Sequence, residues 1–205
     1  MCIRDRCGRT GSGTYSSTPK LSAPSVDPLA GLAACPDLAG TCPTGAAQPA
    51  VSVAGVTATT ISPGVYRSIS VTGSGKLTLQ PGAYVVTGPI SVTGAGRLSG
   101  TGVTLYLACP TYPAPCTGAG PAVSVGNSGV VALTAPSTGP FAGFSVVADR
   151  ADRSTFSVSG LGSWTSGAIY AKAVRMELTN SATVRAPRLV LDSLKLSGAA
   201  VLTVG

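Results

Sequence analysis

The chain has 205 residues, a formal net charge of +7 and no histidine; it contains 27 glycines and 16 prolines, and only 10% of its residues are charged. A chain that is 44% hydrophobic with so little charge lies outside the compositions typical of intrinsic disorder. Small and β-branched residues between Gly and Pro favour strands, and no apolar run is long enough to span a membrane, so the composition predicts an all-β protein without a membrane span.

The N-terminal quarter of the chain lacks the patterning found later. Residues 1–7 differ in character from everything after them, and we expect them to be a non-native leader, so a missing export signal carries no information. Residues 8–60 are rich in Gly, Ser, Pro and Ala with little alternation. We expect them to form a linker or an irregular N-terminal wrap on the domain.

Four cysteines lie in two close pairs within proline-containing loops, Cys35 with Cys42 and Cys109 with Cys116. Such pairs in a chain without histidine favour disulfides over a zinc site, which usually has C-x2-C spacing or histidine ligands. We therefore expect these cysteines to form disulfides, with the connectivity left open, and the protein to be extracytoplasmic.

A nine-residue frame recurs six times after residue 61. The copies start at Ile69, Ile90, Val123, Phe156, Met176 and Leu194. The first, third and ninth residues are apolar and the second is polar, which is the alternation of a strand with one buried face. The fifth residue is always Gly or Asn, which adopt a left-handed backbone at the lowest cost. These repeat turn positions are Gly73, Gly94, Asn127, Gly160, Asn180 and Gly198.

The spacing of the copies predicts the architecture. Consecutive copies start about twenty residues apart, except that two intervals carry about a dozen extra residues. Coils that bury apolar positions against their neighbours predict a parallel β-helix, or β-solenoid, over residues 61–205. We expect it to be right-handed, with loop excursions at the long intervals. Because residues 201–205 stop midway through a coil without a polar cap, we also expect truncation at the C-terminus.

Two apparent motifs are explained by the repeat. Gly73-Ser74-Gly75-Lys76 resembles the end of a phosphate-binding loop, but Leu77 stands where Ser or Thr should follow the lysine. Trp164 occupies an apolar position of the frame, so we interpret it as a core residue rather than as a sugar-stacking platform. Neither motif indicates a binding site.

Catalytic groups are scarce. Without histidine the usual Ser–His or Cys–His relay cannot be built. The acids beyond the leader are Asp27, Asp37, Asp149, Asp152, Glu177 and Asp192. Because Asp149 and Asp152 alternate with arginines, a local salt-bridged loop is favoured over a catalytic or metal pair. We predict no catalytic, cofactor-binding or metal-binding residues, no cofactor, and therefore no enzyme activity.

Five basic residues fall in two successive coils and form a candidate basic surface patch. They are Lys172, Arg175, Arg185, Arg188 and Lys195. An anionic surface glycan is the candidate partner of such a patch, and a solvated face is the simpler interpretation. No aromatic residues interleave with the basic ones, so we expect no nucleic-acid partner.

Several short phrases occur in an order that resembles one family. They are Ile61–Tyr66 and Leu79–Val86, each with a PGxY turn, then Gly100–Leu107, Leu133–Gly143 and Asp149-Arg150, with Asp27–Leu32 upstream. Over about residues 25–205 the chain resembles the extracytoplasmic region of TadG-like Flp (tight adherence) pilus-assembly proteins. The resemblance implies a structural role in assembling or anchoring adhesive pili at the cell envelope, with other envelope or pilus-assembly proteins as partners. The membrane helix of that family is missing from this sequence.

Two other functions stay open. Outward Ser and Thr residues fit a secreted β-solenoid binding protein, either an adhesin or an ice-binding protein, although an ice face requires long Thr ladders and the outward positions mix Ser, Glu and Lys. A polysaccharide-active β-helix enzyme is the weaker alternative because acids are few.

Overall fold

Stacked coils of parallel strands run from Val51 to Val204. The computed structural model describes residues 14–15, 27, 30–31, 35 and 40–205. The predicted residues 1–7 leader therefore lies outside the described residues. The strands are β1 (Thr14–Tyr15), β2 (Val51–Val53), β3 (Ala58–Ile61), β4 (Val65–Tyr66), β5 (Ile69–Val71), β6 (Lys76–Leu79), β7 (Gly82–Val86), β8 (Ile90–Val92), β9 (Arg97–Gly100), β10 (Val103–Leu107), β11 (Val123–Val125), β12 (Val130–Leu133), β13 (Phe144–Ala148), β14 (Thr155–Val158), β15 (Ser163–Thr165), β16 (Ala168–Leu178), β17 (Thr183–Ala186), β18 (Leu189–Leu196) and β19 (Val201–Val204).

Six coils contribute strands to three faces, and the last described coil contributes strands to faces 1 and 2. Face 1 contains β2, β5, β8, β11, β14 and the C-terminal parts of β16 and β18. Face 2 contains β3, β6, β9, β12, β15, β17 and β19, with β1 paired in parallel on the outer edge of β19. Face 3 contains β4, β7, β10, β13 and the N-terminal parts of β16 and β18. The predicted all-β parallel β-solenoid is confirmed.

The core lies inside the coils, where residues at the same frame position stack in register. Ile69, Ile90 and Val123 pair across β5, β8 and β11, and each is buried. Trp164, at the ninth position of its copy, is 2% exposed, which confirms its prediction as a core residue. Only Leu194 among the predicted apolar positions is partly buried, and it packs against the same cluster.

The corner between faces 1 and 2 has a left-handed backbone in every predicted copy. The six predicted turn residues have φ angles from +55° at Asn127 to +71° at Gly198. The close approach of coils at this corner also limits side-chain size, because a Cβ on Gly96 would lie 2.8 Å from the carbonyl oxygen of Val71. Gly and Asn adopt this left-handed backbone with little strain, and so they turn the chain from face 1 to face 2.

The PGxY phrases form the corner between faces 2 and 3. Tyr66 and Tyr84 turn inward and stack, with ring centroids 5.9 Å apart. The Tyr66 hydroxyl donates to the carbonyl of Ser62 at 2.6 Å, and the Tyr84 hydroxyl donates to the carbonyl of Gln80 at 2.9 Å. Each tyrosine therefore satisfies a corner carbonyl while its ring fills the core.

The first coil begins before the boundary predicted at residue 61. Val51–Val53 pairs in register with Ile69–Val71, and Gly55 has a φ of +64° like the later corners. Residues 51–60 thus belong to the solenoid and not to a linker. The frame misses this coil because its ninth position is Thr59 instead of a large apolar residue.

A second apolar cluster covers the outside of face 3. The outward column of this face is apolar and buried in every coil, and it runs Val65, Val85, Tyr106, Val147, Tyr170 and Val190. Cys35 and Cys42 of the N-terminal segment, and Phe141 of the loop before β13, pack against it. The described part of the N-terminal segment is therefore a wrap over face 3.

Candidate binding surface

The predicted disulfides both form, and both lie at the covered face. Cys35 is bonded to Cys42 and Cys109 to Cys116, with Cα atoms 5.5 and 5.2 Å apart. The Tyr112 hydroxyl, in the second loop, donates to the Pro43 carbonyl at 2.9 Å and so joins the two disulfide loops. The two bonds indicate an oxidising environment.

An ionic cluster fastens the wrap to face 3. Asp27 Oδ2 lies 3.0 Å from Arg150 Nη1 and 3.6 Å from Lys172 Nζ, and it accepts a hydrogen bond from the Tyr170 hydroxyl at 2.8 Å. Arg150 also donates to the Ala30 carbonyl at 3.2 Å. The arrangement joins the wrap to two coils and has a structural role.

Burial perturbs the titratable groups under this cover. It raises the pKa of Tyr106 to about 12, and the charge of Asp149 adds to the effect, while a backbone hydrogen bond with Cys35 acts in the opposite direction. Burial likewise raises the pKa of Tyr170 above the ordinary tyrosine range. Buried tyrosines in an apolar cluster explain these shifts without a catalytic role.

The Asp149–Asp152 loop is held by carboxylate–backbone hydrogen bonds. Asp152 Oδ1 accepts hydrogen bonds from the N–H groups of Gly120 and Ser154, each at 2.8 Å, and burial raises the pKa of Asp152. Asp149 Oδ1 accepts a hydrogen bond from the Ala151 N–H at 2.9 Å. The neighbouring arginine, Arg150, pairs with Asp27 and not with either of them.

The structure does not bring the acids together. Glu177 lies on face 1, 2.7 Å from Arg175, and Asp192 lies within β18 between faces 3 and 1. Asp27 lies over face 3, and Asp37 falls outside the described residues. In the part of the chain that the structure describes, no three metal-ligating side chains form a group.

The five residues of the candidate basic patch are spread around the solenoid. Arg175 and Lys195 lie on face 1, where Glu177 is the register partner of Lys195. Arg185 lies on face 2, whereas Lys172 and Arg188 lie near corners beside face 3. A coil of about twenty residues passes around all three faces, so residues about ten apart in sequence point in different directions. These cations therefore do not form one surface.

Face 1 carries two outward columns in register that consist mostly of hydroxyl side chains. The second position of the frame gives the column Ser52, Ser70, Ser91, Ser124, Ser157, Glu177 and Lys195. Beside it lies the column Thr72, Thr93, Gly126, Ser159, Thr179 and Ser197. A Cβ on Gly126 would lie 3.5 Å from Ser159 Oγ and 3.7 Å from Thr93 Cγ2, so Gly126 sits in line with both. Strand spacing puts successive hydroxyls about 4.8 Å apart.

Face 2 holds a shallow depression of about 450 Å³ between its outward column and the corner with face 3. Its lining includes Arg97, Ser99 and Thr165. The depression was not predicted from the sequence, although the residues on either side of the frame's ninth position, such as Lys76 and Thr78, form the outward columns of face 2. The residues at these flanking positions differ too much between copies to form a recognisable pattern in the sequence.

Comparisons of the chain with protein-family models, curated proteins and solved structures find no match. Among the described residues there is no helix long and apolar enough to cross a membrane.

Proposed function

We propose that this chain is a non-catalytic structural and adhesive protein of the bacterial cell envelope that acts in Flp/Tad pilus assembly or in surface attachment. Two of the phrases that resemble TadG-like proteins, the PGxY turns, form the corner between faces 2 and 3 in the first two coils, where Tyr66 and Tyr84 stack. The two disulfides fit an extracytoplasmic location.

The observation that carries the proposal is the difference between the covered and the open faces. Face 3 is sealed by the wrap, whereas face 1 presents small, partly exposed hydroxyl side chains in straight columns. Seven coils at strand spacing give a strip about 30 Å long, with hydroxyl groups in its first five coils and Glu177 and Lys195 in the last two. Such a strip suits contact with an extended partner, such as a pilus or a wall polymer, better than capture of a small molecule.

Gene deletion in the source bacterium tests this role. We expect loss of surface pili or of attached cells, with recovery when the wild-type chain is supplied. The double variant S91K/S124K, which places two lysines in the middle of face 1, should fail to restore the phenotype. The control A114K/T138K, which adds the same charges to exposed loop positions, should restore it. Normal piliation and normal attachment in the deletion strain would contradict the proposal.

Ice binding is the second candidate, because the columns of face 1 align hydroxyl side chains in register, although one of them consists of Ser and not of the Thr ladder expected of an ice face. Five serines follow one another before Glu177 and Lys195 interrupt the column. Thermal hysteresis of the purified chain separates the two functions. A measurable difference between the melting and freezing temperatures of ice in the presence of the wild-type chain, absent with S91K/S124K, would favour ice binding over envelope assembly.

A further inference from the structure

Two cations stand side by side on face 2. Lys76 on β6 and Arg97 on β9 are register partners, and both side chains are exposed. Their backbones are about 4.8 Å apart, the spacing of neighbouring strands. The ion pairs among the described residues involve Asp27 and Glu177 on other parts of the surface, so no described carboxylate neutralises this pair.

Arg97 of this pair lines the depression of about 450 Å³ on face 2, and Lys76 lies beside Arg97 in the neighbouring coil. The lining also includes five residues that carry hydroxyl groups, namely Thr78, Ser99, Thr101, Thr134 and Thr165. The depression thus combines a guanidinium, which can bind a carboxylate or sulfate through two hydrogen bonds, with several groups that can donate to or accept from sugar hydroxyls.

The shape of the depression follows from the sequence of the outward column. Thr78, Ser99, Ala132 and Thr165 are register partners on four successive coils. The side chains become smaller at Ser99 and Ala132 and larger again at Thr165, which leaves a hollow in the middle. Gly100 adjoins it and is required there, because a Cβ would lie 2.8 Å from Val103 Cγ2.

We propose that this depression binds an acidic polysaccharide. The anionic group of one sugar pairs with Arg97 and Lys76, and the hydroxyls of that sugar and its neighbours bind the Ser and Thr row along the solenoid axis. None of the described residues that line the depression is aromatic, so they offer no platform for stacking of nucleic-acid bases. This proposal does not depend on the pilus role, because the depression lies on face 2 and the hydroxyl columns lie on face 1.

Charge-matched variants test the site. Wild-type protein should bind polygalacturonate or, if the anionic group is a sulfate, dextran sulfate, and it should not bind neutral dextran. K76Q/R97Q should weaken binding of that polymer at least tenfold. The control K195Q/R188Q, which removes the same two charges from elsewhere on the surface, should change it less than twofold. Calorimetry or affinity electrophoresis measures the effect, and circular dichroism checks that each variant is folded.

A shape variant separates a site from general electrostatic attraction. A132L keeps every charge but fills the hollow, so it should weaken binding at least fivefold. Absence of binding to both acidic polymers would overturn the proposal. Equal losses in the two charge variants, or unchanged binding by A132L, would also overturn it, because either result means that net charge alone attracts the polymer. None of these results affects the gene-deletion test of the envelope role.

Discussion

Faces 1 and 3 belong to the same coils and have the same parallel pairing, yet their outward residues have opposite roles. On face 1 the outward residues of the central coils, such as Ser91 and Ser124, are partly exposed to solvent. On face 3 the corresponding residues, such as Tyr106 and Val147, are 3% exposed beneath the wrap. The backbone therefore does not decide which face is covered; the outward side chains do.

The cover of face 3 combines apolar, covalent and ionic contacts. The rings of Tyr106 and Phe141 lie 6.4 Å apart, measured between centroids, and Cys35 and Cys42 pack on the same column. Burial of each large side chain stabilises the fold by about 1.5–3 kcal/mol. Among the described residues face 1 has no such second cluster, so changes on the two faces should have different energetic consequences.

The largest contrast is expected for the same substitution on both faces of one coil. Val147→Asp should lower the free energy of unfolding by at least about 3 kcal/mol, because it places an unpaired charge in the buried column. Ser124→Asp, on face 1 of the same coil, should change it by less than about 0.5 kcal/mol. Chemical denaturation measures both, and equal effects would show that face 3 is not covered.

Removal of the Cys35–Cys42 disulfide should have the next largest effect. The double variant C35A/C42A should lose about 2–3 kcal/mol, the stabilisation expected when a bond closes a loop of this size. Amide hydrogen exchange should rise in β10 and β13 of face 3 and stay unchanged in β8 and β11 of face 1. An increase shared equally by the two faces would mean that the wrap stabilises the whole solenoid and not face 3 in particular.

A change at the corner between faces 1 and 2 tests the repeat independently of the cover. Asn127 has a φ of +55°, so Asn127→Val should cost about 1–2 kcal/mol. Asn127→Gly, which tolerates this backbone, serves as the control and should cost less than about 0.5 kcal/mol. Thermal or chemical unfolding gives both values, and similar losses in the two variants would argue against a left-handed corner.

The smallest contrast is between the ion pairs that Asp27 makes under the cover and the more exposed pair on face 1. Asp27→Asn should destabilise the protein by about 1 kcal/mol, because Asp27 bonds to Arg150, Lys172 and Tyr170 in a partly buried setting. Glu177→Gln removes the exposed pair with Arg175 on face 1 and should cost no more than about 0.5 kcal/mol. The difference should persist as salt is added, because the cover shields Asp27 from solvent, and its disappearance would show that both sets of pairs are solvent-screened.

Much of the solenoid is predictable from sequence because stacking in register repeats each chemical requirement at a fixed position. The corner needs a residue such as Gly73 or Asn127 in every coil, and the core needs a residue such as Val71 or Leu77. Face 3 is harder to predict because its strands are apolar on both sides. Val85 faces the wrap and Val86 faces the core, so no alternation marks which side is inward.

The surface features were harder to predict, for a geometric reason. Lys172 and Arg185 are close in sequence but separate in space, because a coil of about twenty residues passes around all three faces. Lys76 and Arg97 are farther apart in sequence and yet become neighbours. Surface clusters in a solenoid therefore follow the repeat length, and candidate patches are better sought one coil apart than within one segment.

Hydroxyl-radical footprinting tests most directly the claim that face 3 is sealed and the remaining surface is open. In the native protein Tyr106 and Tyr170 should be oxidised far more slowly than in the unfolded chain, since both are at most 3% exposed. Val56 and Leu161, which are 89% and 68% exposed at corners, should react at nearly the same rate in both states. Oxidation of the two tyrosines at their unfolded-state rates in the native protein would contradict the account.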